Sequence, residues 1–229
     1  MSRLTRVQAA LHAKASSNPL PNRFCEVATE LIGVTGAGVI LMSGDLPAGS
    51  LCSSDGVSNL MEQWQYTLGE GPCVDAYRLD QVVAEPDLAE PTTPRWFAFT
   101  PRALDLGVRA VFGFPLRGST ARLGAINLYL DRPAVLSTDQ FADALVFAEV
   151  IAHWVIDTQA AATQGCLAEE LDADSDFHFA VQNAAGMVSV QLGISVADAL
   201  VRIRAHAFSE TRLVREVADD VVAKKLRFS

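Results

Sequence analysis

No apolar run in this chain of 229 residues approaches the roughly 20 that a membrane-spanning helix needs. The stretch from Met1 to Ser17 is polar and amphipathic and lacks the layout of a secretory signal. Both absences set aside a membrane role and make the cytoplasm the expected compartment. Cysteine is sparse: Cys25, Cys52, Cys73 and Cys166 are widely separated and form no Cys-x-x-Cys pair. That pattern suggests neither a disulfide framework nor a zinc knuckle, and it predicts mostly buried thiols. His12, His153, His178 and His206 show no ligand spacing with the cysteines, so no metal is expected. Motifs of catalysis are missing as well. Gly33-x-x-Gly36-x-Gly38 has no following lysine and does not match a dinucleotide fingerprint, and neither Ser-x-x-Lys nor Gly-x-Ser-x-Gly occurs. The expectation is a chain with no catalytic residue and no cofactor.

What the sequence does have is core: half of its residues are hydrophobic, enough for one large domain or two small ones. Its net charge of −9 argues against coating nucleic acid through bulk electrostatics. The sign is unevenly spread, however. From His178 onward Arg202, Arg204, Arg212, Arg215, Lys224, Lys225 and Arg227 outnumber Asp198, Glu210, Glu216, Asp219 and Asp220. A C-terminal module that meets a polyanion would show this asymmetry.

Apolar periodicity orders the chain into a mixed, α+β pattern. Leu4, Val7, Leu11 and Ala15 predict a first helix ended by Asn18-Pro19, and Phe24, Val27, Ala28 and Leu31 a second over about 22–32. Short strands follow at 39–42 and 50–53, then a helix at 57–66 and a glycine-rich loop at 68–73 that opens a short helix. A strand at 81–84, a proline-rich loop at 86–94 and a helix at 95–106 precede two strands, 108–116 and 122–129, joined by a Gly118-Ser119 turn.

Ser137-Thr138-Asp139-Gln140 fits a capping box and starts a helix predicted to reach at least Gln164. Two adjacent apolar stripes, Phe141, Leu145, Ala148, Ala152, Val155 and Ala144, Phe147, Ile151, Trp154, require burial on more than one face. A second copy of the same helix would satisfy this, making a homodimer; full burial within one subunit would satisfy it too. Residues 165–176, rich in Asp and Glu, read as a linker or helical stalk, which divides the chain into 1–164 and 177–229. Beyond it lie three short amphipathic helices, with Gly193 placed as a C-terminal cap and Ser195-Val196-Ala197-Asp198 as a capping motif.

The run Val181-Gln182-Asn183-Ala184-Ala185-Gly186-Met187-Val188, then Ser195-x-x-Asp198-Ala199, Ile203-Arg204-x-x-Ala207 and Leu213-x-x-Val217-Ala218-x-x-Val221-Val222, resembles an ANTAR domain over about fifty residues. The resemblance implies a three-helix bundle that binds paired RNA hairpin loops and acts in transcription antitermination. Ala185 stands where that family usually has lysine. The RNA-binding residues expected on this basis are Ala184, Ala185, Gly186, Arg204 and Ala207, with Arg202, Lys224 and Lys225, and more broadly Arg212 and Arg215, extending the electrostatic footprint. Gly186 inside a helix costs roughly 1 kcal/mol against alanine and calls for a reason, either RNA contact or close helix packing. Arg204 could bind phosphate or stack on an unpaired base, or else form a surface ion pair.

Leu68-Gly69-Glu70-Gly71-Pro72-Cys73, Pro94-Arg95-Trp96, Gly107-Val108-Arg109-Ala110, Phe114-Pro115-Leu116 and Leu123-Gly124-Ala125-Ile126-Asn127-Leu128-Tyr129 are similar to a GAF domain over about Asn22 to Asp157. The likeness implies a dimeric sensor with a central antiparallel sheet and a small-molecule ligand on one face. Cys73, at a predicted helix N-terminus where the macrodipole lowers a thiol pKa, carries the alternative of a GAF-type thiol redox enzyme. A protein-interaction or DNA-binding module is the other alternative for the C-terminal helices.

Overall fold

The computed structural model describes residues 2–14, 20–43, 46–118, 121–161 and 175–229. Two helices, α1 (Arg3–Ala13) and α2 (Leu20–Ile32), lead into the antiparallel pair β1 (Gly36–Ser43) and β2 (Leu46–Ser53). Helices α3 (Gly56–Leu68) and α4 (Pro72–Leu79), strand β3 (Val83–Glu85) and helix α5 (Phe99–Asp105) come next. The hairpin β4 (Ala110–Arg117) and β5 (Arg122–Leu130) then precedes the long helix α6 (Thr138–Ala161). All strands join one antiparallel sheet in the order β2-β1-β5-β4-β3.

Both faces of this sheet are covered. Alternation along β5 divides its side chains: Ile126, Leu128 and Leu130 enter a core with α1, α2 and α6, whereas Ala125 and Tyr129 enter a second core with α3, α4 and α5. Burial on both sides explains why β4 and β5 read as nearly continuous apolar runs rather than as alternating ones. Close approach is needed at Gly113, where an added Cβ would lie 2.3 Å from the carbonyl oxygen of Pro72 and would push α4 off the sheet.

The capping box forms as expected. Ser137 Oγ accepts from the Gln140 amide at 3.2 Å, and Gln140 Oε1 accepts from the Ser137 amide at 2.9 Å. On α6, Ala144, Phe147, Ile151 and Val155 are buried, while Phe141 and Leu145 stay partly open at 39% and 44% exposure. Much of the second apolar stripe is covered by the chain itself: α1 lays Val7 and Leu11 into the same core, and Arg3 and Arg6 both pair with the buried Asp143 of α6.

Two expectations are corrected. The helix predicted from Arg95 begins only at Phe99, because its first amides are taken by a carboxylate distant in sequence, that of Glu70. The second correction concerns the cysteines. Cys25 on α2 and Cys52 on β2 form a disulfide, with Cα atoms 6.1 Å apart. Their proximity comes from the packing of α2 over the edge of the sheet, which no local spacing motif records. Such bonds persist in oxidising compartments, so this one pulls against the cytoplasmic expectation. Among the described residues no single helix is long and apolar enough to cross a membrane.

Helices α7 (Ser175–Leu192), α8 (Val196–Ser209) and α9 (Val214–Val222) pack around a separate core of Val181, Ala184, Val188, Ile203, Val217 and Val221. Gly193 adopts a left-handed φ of 65°, and Ser195 Oγ accepts from the Asp198 amide, so both caps form as expected. Of the proposed linker, Ser175 and Asp176 already belong to α7; residues 165–174 lie outside the described residues.

The Cys25–Cys52 bond closes a loop of 27 residues. Removing a cross-link of that span by a Cys25→Ala, Cys52→Ala double substitution is expected to cost about 3.5 kcal/mol of unfolding free energy in denaturant titrations without reductant. Peptide mapping of unreduced protein should recover the two segments linked. Recovery of both as free thiols from a protein of unchanged stability would remove the bond.

Candidate functional site

The face of the sheet beneath α3 and α4 holds a buried polar cluster. On α3, Ser58, Glu62 and Gln65 recur at spacings of four and three and so lie on one face, and all three are buried rather than solvated. Opposite them β5 supplies Asn127 and Tyr129, and the start of α4 supplies Cys73. The amide of Cys73 donates to Gln65 Oε1 at 2.8 Å, Gln65 Nε2 donates to Tyr129 Oη at 3.2 Å, and the Tyr129 hydroxyl donates to Glu62 Oε1. Asn127 Nδ2 lies 3.3 and 3.4 Å from the two Glu62 oxygens. Glycine makes room for this packing. A Cβ at Gly38 would sit 2.3 Å from Glu62 Oε1, and one at Gly71 would sit 2.7 Å from Gln65.

Electrostatics follow from burial with no counter-cation among the described residues. Desolvation pushes the Glu62 carboxyl up to about 8, opposed by the hydrogen bonds from Tyr129 and Asn127. Tyr129 is raised well above its ordinary value, by burial first and then by the neighbouring Glu62 charge. Asn127 Oδ1 is buried without a hydrogen-bond partner among the described residues, so a proton on Glu62 adds a donor to a cluster that is short of them. Cys73 does sit at the N-terminus of α4, but the expectation of a lowered thiol pKa is corrected. Burial, seconded by Glu62, holds it well above its usual value, and the Sγ–H points to the Ala125 carbonyl at 3.7 Å. A thiol so placed is a poor nucleophile.

The motifs read as GAF-like lock the loop that closes this face. Glu70 accepts from the amides of Ala98 and Phe99, both at 2.7 Å, and Asp75 accepts from the Trp96 indole at 2.7 Å. Arg95 stacks on Trp96 at 4.2 Å from the ring centroid. Arg109 holds Asp87 through both carboxylate oxygens, at 2.9 and 3.0 Å, and keeps that carboxyl below its ordinary value. Sequence reading missed Glu62, Gln65, Asn127 and Tyr129 as a group. Their signal was present: polar residues on the helix face that also carries Met61, and an asparagine inside an apolar strand.

The expected RNA-binding residues separate into two sets. Ala184, Ala185 and Ala207 are fully buried among α7, α8 and α9, so their side chains make the bundle's core and not a surface. Arg202, Lys224 and Lys225 are exposed, and only Lys225 has an ionic neighbour among the described residues, Asp220 at 4.0 Å. Gly186 is half-buried with open space where a Cβ would stand, so close helix packing does not account for it. Arg204 is half-buried, with its guanidinium 4.5 Å from the ring centroid of Tyr66 on α3. Gln182 and Asn183 are exposed beside Gly186.

No protein-family model matches the sequence, and no curated protein matches it. Solved structures do. The GAF domain of a phosphoenolpyruvate-protein phosphotransferase from Acinetobacter superposes with a TM-score of 0.51 at 11% identity, covering 72% of this chain and 99% of that one. The corresponding GAF domain from Coxiella burnetii gives 0.51 at 10% identity, covering 69% and 95%. A far-red absorbing dark state with bound biliverdin IXα also gives 0.51, at 10% identity, covering 68% and 98%. The sheet and its helices therefore have a GAF-like fold, of α+β class.

Glu62 makes stability depend on pH with a definite sign. Unfolded, the carboxyl ionises near 4.5; folded, it keeps its proton until about 8. Between those values the folded chain binds the extra proton, so this contribution is full at low pH and is lost as pH rises through 8. Wild type is expected to fall relative to Glu62→Gln by up to roughly 1.4 kcal/mol per pH unit across that window in chemical denaturation. Parallel pH profiles for the two proteins would show that Glu62 titrates normally.

Proposed function

We propose that this chain is an RNA-binding regulator of transcription antitermination, in which a GAF-like sensor governs an ANTAR-like bundle. The observation that carries the reading is the spacing match from Val181 to Val222 together with where its residues lie. Val181, Ala184, Val188, Ile203, Val217 and Val221 of the pattern hold three helices around one small core, while its Val222 is exposed. The contact surface is then supplied by Gly186 with its exposed neighbours Gln182 and Asn183, and by Arg202, Lys224 and Lys225. Amide side chains suit the edges of unpaired loop bases, and the cations suit the phosphates that flank them. Arg204 joins this set when it leaves the Tyr66 ring.

The signal acts, in this reading, at the cluster around Glu62, where a small molecule or a proton would change how α3 packs. No step of the reading needs catalysis, and the buried, protonated Cys73 supports regulation over thiol chemistry. We further take the working unit to be a homodimer, supported by the apolar side chains α6 leaves partly open, Phe141, Leu145 and Ile156. Two bundles on one dimer raise avidity for tandem loops through effective concentration. A cytoplasmic location belongs to the same proposal.

A second reading, a protein-interaction module, is favoured by one observation: Phe179, Val190, Val201 and Phe208 on α7 and α8 are each more than half exposed. Binding to a tandem-hairpin RNA across a salt series separates the two. Selective, salt-sensitive binding is expected, with several-fold losses in Arg202→Ala and in the Lys224→Ala, Lys225→Ala double variant, and a salt slope reduced by about 0.7 to 0.9 for each phosphate contact removed. Absence of binding, or equal binding to duplex DNA, would favour the interaction module.

A further inference from the structure

Tyr66 does not pack with the two cores of its own sheet. It is 6% exposed and belongs to the core formed by α7, α8 and α9. Its ring receives the Arg204 guanidinium from α8 face-on. The next residue, Thr67, accepts through Oγ1 from the amide of Val214 at 3.1 Å. Val214 is the first residue of α9, so this amide has no partner within its helix, and it is fully buried. The last turn of α3 thus contributes a ring, an acceptor and an apolar patch to a bundle it adjoins only in space. One turn earlier the same helix carries Glu62, and Gln65 lies immediately before Tyr66, both in the buried cluster.

We propose that the Tyr66–Thr67 turn of α3 is an internal docking surface that competes with RNA for Arg204, so that the docked chain is the weakly binding form. This rests on the RNA reading above and adds its switch. Arg204 cannot both lie against Tyr66 and stack on a loop base or grip a phosphate. Its Nε is buried with no hydrogen-bond partner among the described residues, a donor that undocking would free for an acceptor on RNA. A ligand that favours undocking gains apparent affinity whenever docking is weakened by other means, since only the competent fraction binds.

The test compares full-length wild type with Tyr66→Ala and Thr67→Val, the second changing only a hydroxyl for a methyl should loss of the ring disturb folding. Docking is read without RNA, as hydrogen exchange of the segment containing the Val214 amide; affinity is read on a tandem-hairpin RNA. Faster exchange in the variants is expected, with RNA bound roughly ten-fold more tightly, as when a competent fraction of about one tenth becomes nearly complete. Adding Arg204→Ala to either variant should cancel the gain. RNA bound no more tightly by a variant whose exchange shows it undocked would overturn the competition while leaving RNA binding intact. Unchanged exchange in both variants would remove the docking surface. Absence of RNA binding by any form, undocked forms included, would instead remove the RNA reading and this inference with it.

Discussion

Helix α3 is buried on two fronts, and that constraint organises the rest of the molecule. Its Glu62 and Gln65 are enclosed against the sheet, where they engage β5 and the start of α4. Its Tyr66 and Thr67 are enclosed by the C-terminal helices. A rigid helix transmits a change at one end as a displacement at the other, because packed interiors do not deform continuously. The glycines at 38 and 71 leave no slack on the sheet side. Any rotation or lift of α3 is therefore felt by the residues that contact α8 and α9.

The polar cluster makes such a movement energetically plausible. An ionised carboxylate enclosed with only neutral donors is costly, which is why Glu62 holds its proton to about pH 8. Tyr129 donates to it in the arrangement seen here, and burial keeps both Tyr129 and Cys73 protonated over the same range. The cluster is thus a set of neutral groups whose hydrogen bonds are directional and whose charge state is poised near neutrality. Groups of that kind respond sharply to a ligand or to loss of a proton, because one new charge changes the preferred partner of every neighbour. An apolar core at the same place would be more stable and insensitive.

Most of the fold was legible in the sequence, because the signals that set it are local. The capping box at Ser137, the glycine cap at Gly193 and the helix start at Ser195 each form as the residues dictate. What sequence could not supply is contact between distant segments. Cys25 and Cys52 meet only because α2 crosses the sheet edge, and α5 starts late because Glu70, from another loop, caps it. The same limit explains the site. Ala184, Ala185 and Ala207 were grouped with a contact surface because they belong to a recurring pattern, but a small side chain recurs at a helix crossing for reasons of packing just as readily.

That distinction changes how Ala185, where the ANTAR-like pattern has lysine, bears on the proposed RNA binding. Were position 185 on the surface, alanine in place of lysine would remove a contact. Here its side chain is fully buried in the bundle, so a lysine at this position would have to snorkel past the helix edge to reach solvent, at the expense of packing. Alanine lets α7 sit close to its neighbours, and in the proposed reading phosphate contact falls to the exposed Arg202, Lys224 and Lys225 and to Arg204 beside Tyr66. In the proposed reading, control of Arg204 by Tyr66 therefore bears directly on RNA affinity.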